Sequence, residues 1–249
     1  MVIRTGKMRY PNTDYATSNY CISYLDILGG ANKICNDKNN EFLNLINMIY
    51  QDVLKEAELI KLIDRKDIFV KIFSDNILLA IKIDKNDEKR KLKIEKIISF
   101  TSNIINEMLR YGCLIRGAIV EGEFFQNELF VYGKAHVQAV KTEENIAVYP
   151  RVIVQDKIQK VFPQYCDIAE DGVYYLNHYV KAQTFENITF KMQLLKLLKE
   201  ANQDVKIKQK VMWAIAHYNK HNKEFIKLGS TQCQLITDEE ILNVINGDK

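Results

Sequence analysis

The sequence predicts an α+β protein whose core is a ferredoxin-like βαββαβ unit with an antiparallel sheet, followed by a C-terminal helical extension. Strand-forming segments alternate with segments in which apolar residues recur at helical spacing, in the order strand, helix, two strands, helix, strand. The 249-residue chain is 47% hydrophobic, which is enough for one large core. In this topology the first and third strands are antiparallel neighbours.

The first half of the chain provides the first five of the six core elements, up to the start of the fourth strand. YCISYLDIL, residues 20–28, is an apolar strand that ends at a Gly-Gly pair. Residues 41–63 predict a long amphipathic helix. IFVKIFSDNILLAIKI, residues 68–83, predicts a hairpin with Ser-Asp-Asn at its turn. Residues 90–110 predict a second helix, which Gly112 is placed to end.

The second half continues the alternation. CLIRGAIVEGEFF, residues 113–125, predicts the fourth strand, and ELFVYG, residues 128–133, predicts another. KAHVQAVKTEENIA, residues 134–147, predicts a helix, and YPRVIVQ, residues 149–155, a further strand. The charge-rich segment 196–210 predicts a solvated helix and loop.

Composition excludes several classes of function. The net charge of +3 implies no strong field for nucleic acid or a membrane surface. No apolar run approaches the ~20 residues that span a bilayer, and the N-terminus has no signal-peptide core, so we expect a cytoplasmic protein. The five cysteines are scattered and lack a C-x-x-C pair, which argues against a disulfide framework and a thiolate zinc site.

Two carboxylates are the strongest candidates for a site. Asp26 lies near the end of the first strand and Asp75 on the hairpin turn, so the adjacency of strands one and three brings them together. Two hard oxygen ligands suit Mg²⁺ or Mn²⁺, which commonly bind one or two carboxylates plus substrate phosphates, and such a pair can hold two metals. Alternatively, Asp26 caps a turn into the Gly-Gly loop and Asp75 is an ordinary turn residue.

Arg116 is a second candidate, in the strand LIRGAIV. It either binds phosphate in bidentate fashion or pairs with a nearby acid such as Glu121. Gly117 next to it would let another backbone or a ligand approach closely. We interpret Arg151, in YPRV, as structural.

His217 and His221 lie one helical turn apart on one face. A zinc hydrolase motif needs a glutamate directly after the first histidine, where this chain has Tyr218. We therefore interpret both histidines as surface or packing residues.

The order and spacing of several motifs resemble a known family. YLDILGG, FSDNILLA, LIRGAIVEGEFF, VYGKAHVQAVKTEENIAVYPRVIV and KVMWAIAHYNKHN together resemble the class III nucleotide cyclases. The nearest resemblance is to the bacterial pyrimidine cyclases of the Pycsar anti-phage system. It covers residues 20–155 best and reaches the C-terminal third through its Trp/Tyr/His/Asn pattern.

The resemblance implies roles for particular residues. Asp26 and Asp75 match the two metal aspartates, with the Ile27 carbonyl as a possible further ligand. Lys71 falls where cyclases contact the base. Lys141 falls where purine cyclases carry the arginine that stabilises the triphosphate transition state. Glu143 follows it as in the helix pattern of that class.

Two departures from the purine cyclases bear on the substrate. Val137 stands where they place a ribose-orienting asparagine, and Phe130 where adenylate cyclases place an acceptor for the adenine amino group. An apolar wall fits a smaller ring, which favours a pyrimidine. Plain core packing is the alternative for both residues, and for Val137 we prefer it.

The resemblance implies a homodimeric cyclase that forms its site across the dimer cleft. It would convert a pyrimidine nucleoside triphosphate, UTP before CTP, to the 3′,5′-cyclic monophosphate with a two-metal Mn²⁺ or Mg²⁺ site, as a signal generator in anti-phage defence. The alternatives are an inactive cyclase-like module that senses a nucleotide, an adenylate cyclase, and a nucleic-acid-binding ferredoxin-like domain, the last disfavoured by the small net charge. The expected divisions are an N-terminal extension at 1–19, the cyclase-like domain at 20–180 and the helical extension at 181–249.

Overall fold

The computed structural model describes residues 15–59, 68–181, 186–201, 204–230 and 233–247. Part of the predicted N-terminal extension and the end of the predicted helix 41–63 lie outside these ranges. The strands are β1 Ser18–Ile27, β2 Ile68–Phe73, β3 Asn76–Lys82, β4 Ile115–Gln126, β5 Val131–Tyr132, β6 Val152–Val154, β7 Cys166–Ile168 and β8 Tyr174–Leu176. The α-helices are α1 Gly30–Cys35, α2 Glu41–Leu59, α3 Asp87–Arg110, α4 Lys134–Asn145, α5 Asp156–Gln159, α6 Glu186–Glu200, α7 Val205–Lys227 and α8 Asp238–Asn246.

The strands form one sheet in the order β2-β3-β1-β4-β6-β8-β7, with β5 paired to β4 outside this path. Its first four strands have the order of the predicted ferredoxin-like core, and β1 lies antiparallel between β3 and β4. The predicted antiparallel sheet of the core is confirmed, and beyond the core β6 adds to it parallel to β4. The chain crosses from one to the other through α4, and such a crossover connects parallel neighbours.

The sheet has two covered faces, and the alternation of side chains decides which residues belong to each. Cys21 and Leu25 of β1 pack in a core with α2 and α3. Ile22 and Tyr24 face the other way, into a core with Ala135 and Ala139 of α4. By the same alternation Asp26 lies on the α4 face, among smaller and more polar side chains.

The C-terminal helices form a third apolar cluster that includes Leu109 of α3, Phe190 of α6 and Val211 of α7. The predicted packing role of His217 and His221 is confirmed, because each is only 5% exposed. They lie among the rings of Tyr175, Tyr179, His178, Trp213 and Phe225.

The prediction of a strand over 128–133 is largely wrong, since only Val131 and Tyr132 pair. The side-chain oxygen of Asn127 instead accepts hydrogen bonds from the amides of Leu129 and Phe130, both at 2.9 Å. Such local side-chain bonds offer the backbone an alternative to the sheet. The short helix α1 and the edge hairpin β7–β8 are additions that the sequence pattern did not predict.

In the part of the chain that the structure describes, no helix combines the length and the apolar character that a bilayer crossing needs.

Candidate active site

The two predicted metal aspartates lie at neighbouring strand ends. The β1–β3 register pairs Asp26 with Asn76, so Asp75 is one residue beyond Asp26 across the ladder. The amide of Ile27 donates to the carbonyl oxygen of Asp75 at 3.0 Å. The expected meeting of the end of strand one with the start of strand three is therefore confirmed.

The hairpin turn that carries Asp75 packs tightly against the chain that follows β1. Ser74 adopts a positive φ of 58° in the turn. A Cβ placed on Gly30 would come within 2.5 Å of the Asp75 carboxylate oxygen Oδ2, so any larger residue would displace the acid. Gly30, the second glycine of the Gly-Gly pair, thus leaves the space that the Asp75 side chain occupies. Gly30 is the first residue of α1 and does not belong to a loop.

Arg116 is the direct partner of Asp26. Its Nε donates to Asp26 Oδ2 at 2.9 Å across the β1–β4 ladder. Gly117 allows β4 to lie this close to the backbone of β1, because a Cβ at this position would be 2.2 Å from the carbonyl oxygen of Tyr24. Burial raises the pKa of the Asp26 carboxyl, the nearby Asp75 charge raises it further, and Arg116 opposes both.

Glu143 of α4 is a second carboxylate at the same guanidinium. Its Oε1 is 2.7 Å from Arg116 Nε, and its side chain is only 5% exposed. Burial raises the pKa of Glu143 to about 7, although Arg116 acts in the opposite direction. Two carboxylates, on Asp26 and Glu143, thus contact one guanidinium, and the charge of Asp75 raises the pKa of both.

The alternative that Arg116 pairs with a nearby acid is confirmed for Asp26 and Glu143, but Glu121, the acid named as an example, is not its partner. Residues five apart on a strand point to opposite faces of the sheet. Glu121 lies on the other face, where its carboxylate is 2.5 Å from Arg90 Nη2 and 3.1 Å from Asn19 Nδ2. Arg151 is structural, as predicted: its guanidinium donates to Asp171 at 2.5 and 3.0 Å and to the Ile146 carbonyl at 3.0 Å.

Sequence reasoning missed two side chains at this site. Tyr24, two residues before Asp26 on the same face, donates its hydroxyl to Asn76 Oδ1 at 2.5 Å. Burial raises the pKa of Tyr24 to about 12, so the phenol stays protonated.

The second side chain is Lys210 of α7. Burial lowers the pKa of its ammonium group, and Arg116 lowers it further, while Asp204 and Asp26 raise it. The period of two in β1 could have indicated Tyr24, but no pattern pointed to Lys210.

The two candidate base-reading residues meet at the loop between β4 and β5. Lys71 Nζ donates to the carbonyl oxygen of Glu128 at 3.2 Å. Phe130 lies two residues further along this loop, with its ring centroid 5.5 Å from that of Phe125. Phe130 is 50% exposed, so the alternative that it is a core residue is wrong.

Lys141 is not part of the carboxylate cluster of its own chain. It lies two residues before Glu143 on α4, a rotation of roughly 200°, and is exposed where Glu143 is buried. Val137 lies one turn earlier on this outer face and is 53% exposed, so the preferred core-packing interpretation is wrong. Both residues line a groove with Tyr132, Gly133 and other residues of β5 and α4.

Asp26 and Asp75 are donors of the chemical type that a hard divalent cation prefers, but they are only two side chains. Within the described residues, no group of three or more His, Cys, Asp and Glu side chains could hold a metal ion. Asp26, Asp75 and the Ile27 carbonyl at the end of β1 are oxygen donors, and Mg²⁺ commonly binds one or two carboxylates and completes its shell with water and phosphates. The cradle that Gly30 leaves for Asp75 supports this assignment, whereas the Arg116 contact occupies one oxygen of Asp26.

No family model matches the chain, and no curated protein matches it. Solved structures do resemble it at low identity, among them the following three. The adenylyl cyclase CyaB from P. aeruginosa shares 14% identity over 64% of this chain and 94% of that chain, with a TM-score of 0.49. The monomeric guanylyl cyclase domain of the RhoGC fusion protein from the aquatic fungus Blastocladiella emersonii shares 10% identity over 66% of this chain and 96% of that chain, with a TM-score of 0.47. The catalytic core of a rhodopsin-guanylyl cyclase with converted specificity, in complex with ATPαS, shares 12% identity over 66% of this chain and 97% of that chain, with a TM-score of 0.45. At these identities and scores, the likeness does not carry an activity over to this chain.

Proposed function

We propose that the chain is a class III-type nucleotide cyclase that acts on a pyrimidine nucleoside triphosphate, UTP before CTP. The observation that carries the proposal is the placement of Asp26 and Asp75 at adjacent strand ends, with Gly30 leaving room for the Asp75 carboxylate. Paired carboxylates at an open sheet edge are what a metal-bound triphosphate requires.

The reaction needs positioning and charge neutralisation more than covalent chemistry by the protein. The ribose 3′-oxygen gives its proton to water and bonds to the α-phosphorus, while the bond from that phosphorus to the bridging oxygen breaks and pyrophosphate leaves. When bound, Mg²⁺ or Mn²⁺ at Asp26, Ile27 and Asp75 would lower the pKa of the ribose 3′-hydroxyl and neutralise the negative charge of the phosphates. The residues of this chain hold the triphosphate chain in line.

Arg116 is proposed to contribute to phosphate binding. Within the described residues, its terminal nitrogens Nη1 and Nη2 donate no hydrogen bond, while Nε is held by Asp26. A guanidinium fixed through one nitrogen and open at the other two suits an anionic oxygen of the substrate.

The site is proposed to be completed by a second copy of the chain. Lys141 is exposed on the outer face of α4, away from the carboxylates of its own subunit. Tyr132 and Val137, 66% and 53% exposed, lie along the same groove and form an apolar surface that a partner can cover. In a homodimer, Lys141 of one subunit would stabilise the transition state over the aspartates of the other.

One observation favours a second candidate, an inactive cyclase-like module that senses a nucleotide. The ion pair between Arg116 and Asp26 places a permanent cation where a catalytic metal would bind. A third candidate, adenylate cyclase, uses Lys71 to read adenine, but Phe130 offers no acceptor for the amino group. A role in anti-phage signalling follows from the resemblance of the sequence to the Pycsar cyclases.

The test is to incubate the purified chain with ATP, GTP, CTP and UTP in Mn²⁺ and to separate the products. Cyclic UMP as the main product is expected, and Asp75→Asn should abolish it while Asp52→Asn, an exposed acid on α2, should not. Cyclic AMP as the main product would favour the adenylate cyclase. If no triphosphate is cyclised but one of them binds, the sensing module is the better description.

A further inference from the structure

Arg116 is shared between two carboxylates on different elements. Its Nε lies 2.9 Å from Asp26 Oδ2 on β1 and 2.7 Å from Glu143 Oε1 on α4. An Nε group has one hydrogen, and here that hydrogen is directed at Asp26. Glu143 Oε1 is buried and, among the described residues, has no hydrogen-bond donor.

A divalent cation at Asp26 would bring a second positive charge to a carboxylate that already pairs with Arg116. The guanidinium lies 2.9 Å from Oδ2, so it neutralises the carboxylate and would repel the cation until it moves away. Arg116 is only 25% exposed, and removing the partner of a largely buried charge is costly. The movement of the guanidinium is therefore easy only if another acceptor stands ready for it.

Glu143 meets that requirement. Its carboxylate is already within contact distance of Nε, so the hydrogen bond can pass to it by a small rotation of the arginine side chain. The position of Glu143 is fixed because Ala135 and Ala139 on the same helix are packed against the sheet. The neighbour Glu144 points to solvent and cannot replace it.

We propose that Glu143 is a positioning residue that takes Arg116 from Asp26 when a divalent cation binds. The inference rests on the proposed function, because it presumes that Asp26 is a metal ligand. In this arrangement Arg116 protects the buried carboxylate before metal loading. Afterwards it remains beside the site, held by Glu143, with its terminal nitrogens directed to substrate phosphates.

The experiment measures Mn²⁺ binding without nucleotide, from the free Mn²⁺ signal in electron paramagnetic resonance. The variants are Glu143→Gln, Arg116→Met and the double variant, with Glu144→Gln as the matched control on the same helix. Asp26→Asn shows whether binding depends on the proposed ligand. Glu143→Asp retains the charge at shorter reach and tests the same idea if Glu143→Gln fails to fold.

The expected result is that Glu143→Gln weakens Mn²⁺ binding about tenfold, a penalty of about 1.4 kcal/mol, because Arg116 then has only Asp26 as a carboxylate partner. Glu143→Asp should lie between Glu143→Gln and the wild type, and Glu144→Gln should match the wild type. In the Arg116→Met background, replacing Glu143 should have no further effect, which a merely structural role would not produce.

Two results would overturn the inference and leave the proposed function standing. One is Asp26-dependent Mn²⁺ binding that Glu143→Gln does not weaken. The other is an equal loss with and without Arg116, which would mean that Glu143 acts independently of the arginine. If Asp26→Asn binds Mn²⁺ as the wild type does, Asp26 is not a ligand and the proposed function falls together with the inference.

Discussion

The hydroxyl of Tyr24 donates a 2.5 Å hydrogen bond to Asn76 Oδ1, which joins β1 to β3 beside both candidate metal ligands. Asn76 is the register partner of Asp26, and its own Nδ2 lies 3.3 Å from Asp75 Oδ1. A chain of side-chain contacts thus runs from the interior of β1 through Asn76 to the hairpin acid. This chain orients Asp75 independently of any ligand.

Tyr24→Phe should therefore lower both stability and turnover. The phenol is 8% exposed, and loss of its hydrogen bond should reduce the free energy of unfolding by about 1 kcal/mol, or roughly 2–4 °C in Tm for a chain of this size. Thermal unfolding and product formation measure the two effects. Tyr132→Phe, at a tyrosine that is 66% exposed, is the control. Equal Tm values for Tyr24→Phe and the wild type would show that the bond contributes nothing.

Stability should fall on acidification because of the buried histidines. Burial lowers the pKa of His178 to about 3 and that of His221 to about 4, and lowers the pKa of His217 well below its ordinary value. The folded state therefore stays neutral where the unfolded chain, with pKa values near 6.5, binds protons. The contribution of these neutral histidines to the free energy of unfolding is fully present above pH ~6.5 and is lost as the pH falls towards 4.

Each of these histidines adds a slope of at most about 1.4 kcal/mol per pH unit in that window. Urea unfolding between pH 7.5 and 4.5 measures the slope, and His221→Gln should reduce it by one histidine's share. Asp167 and Lys220, which lie near His217, are present in both proteins and therefore do not affect the difference between their slopes. Identical slopes for the two proteins would contradict a neutral, buried His221.

Lys71→Ala should reduce discrimination between nucleotides more than binding of the triphosphate. The ammonium group lies against the carbonyl of Glu128, on the loop that carries Phe130, and can donate to a uracil carbonyl. A site that hydrogen-bonds its base rejects mismatched bases more strongly than one that packs it. We expect the ratio of kcat/KM for UTP over ATP to fall at least tenfold, about 1.4 kcal/mol. Lys82→Ala, at an exposed lysine of β3, should leave the ratio unchanged, and an unchanged ratio in Lys71→Ala would refute the assignment.

Complementation tests whether the site is shared between subunits. Asp75→Asn and Lys141→Ala should each be inactive alone, whereas an equimolar mixture should recover about a quarter of the wild-type activity per subunit. Half of randomly paired dimers are mixed, and each of these has one complete site. Mixing Asp75→Asn with Asp26→Asn should recover nothing, because both acids belong to the same subunit. A mixture of the first pair that stays inactive after subunit exchange would argue against the shared site.

Lys210→Met should raise the KM for the triphosphate without changing Mn²⁺ affinity strongly. The lysine belongs to α7 and interacts electrostatically with Arg116 and Asp26, so it can add a cation for substrate phosphates. We expect a KM increase of about tenfold, equivalent to about 1.4 kcal/mol. Lys206→Met, one turn earlier and exposed, is the matched control. Steady-state kinetics at saturating Mn²⁺ measure both, and equal KM values for Lys210→Met and Lys206→Met would exclude this role.

The sequence by itself determined the core topology and the pair of aspartates. Periods of two and 3.6 residues arise from local backbone geometry, so β1 to β4 and the helices between them could be predicted from short windows. The adjacency of Asp26 and Asp75 follows from that topology alone, because the first and third strands of a ferredoxin-like core are neighbours. The turn at 127–130 was missed because one asparagine side chain, not periodicity, sets its backbone.

Only the tertiary structure decided which partners surround those aspartates. Arg116 lies 90 positions from Asp26 and 27 from Glu143, and their meeting depends on strand register and on the packing of α4 against the sheet. The exposure of Val137 depends equally on which face of α4 the sheet covers. Lys210 interacts electrostatically with Arg116 and Asp26 from a helix outside the core, and neither its spacing nor its neighbours in the chain carry that information. Local patterns specify elements, whereas the balance of charge at a site is set by contacts between elements far apart in sequence.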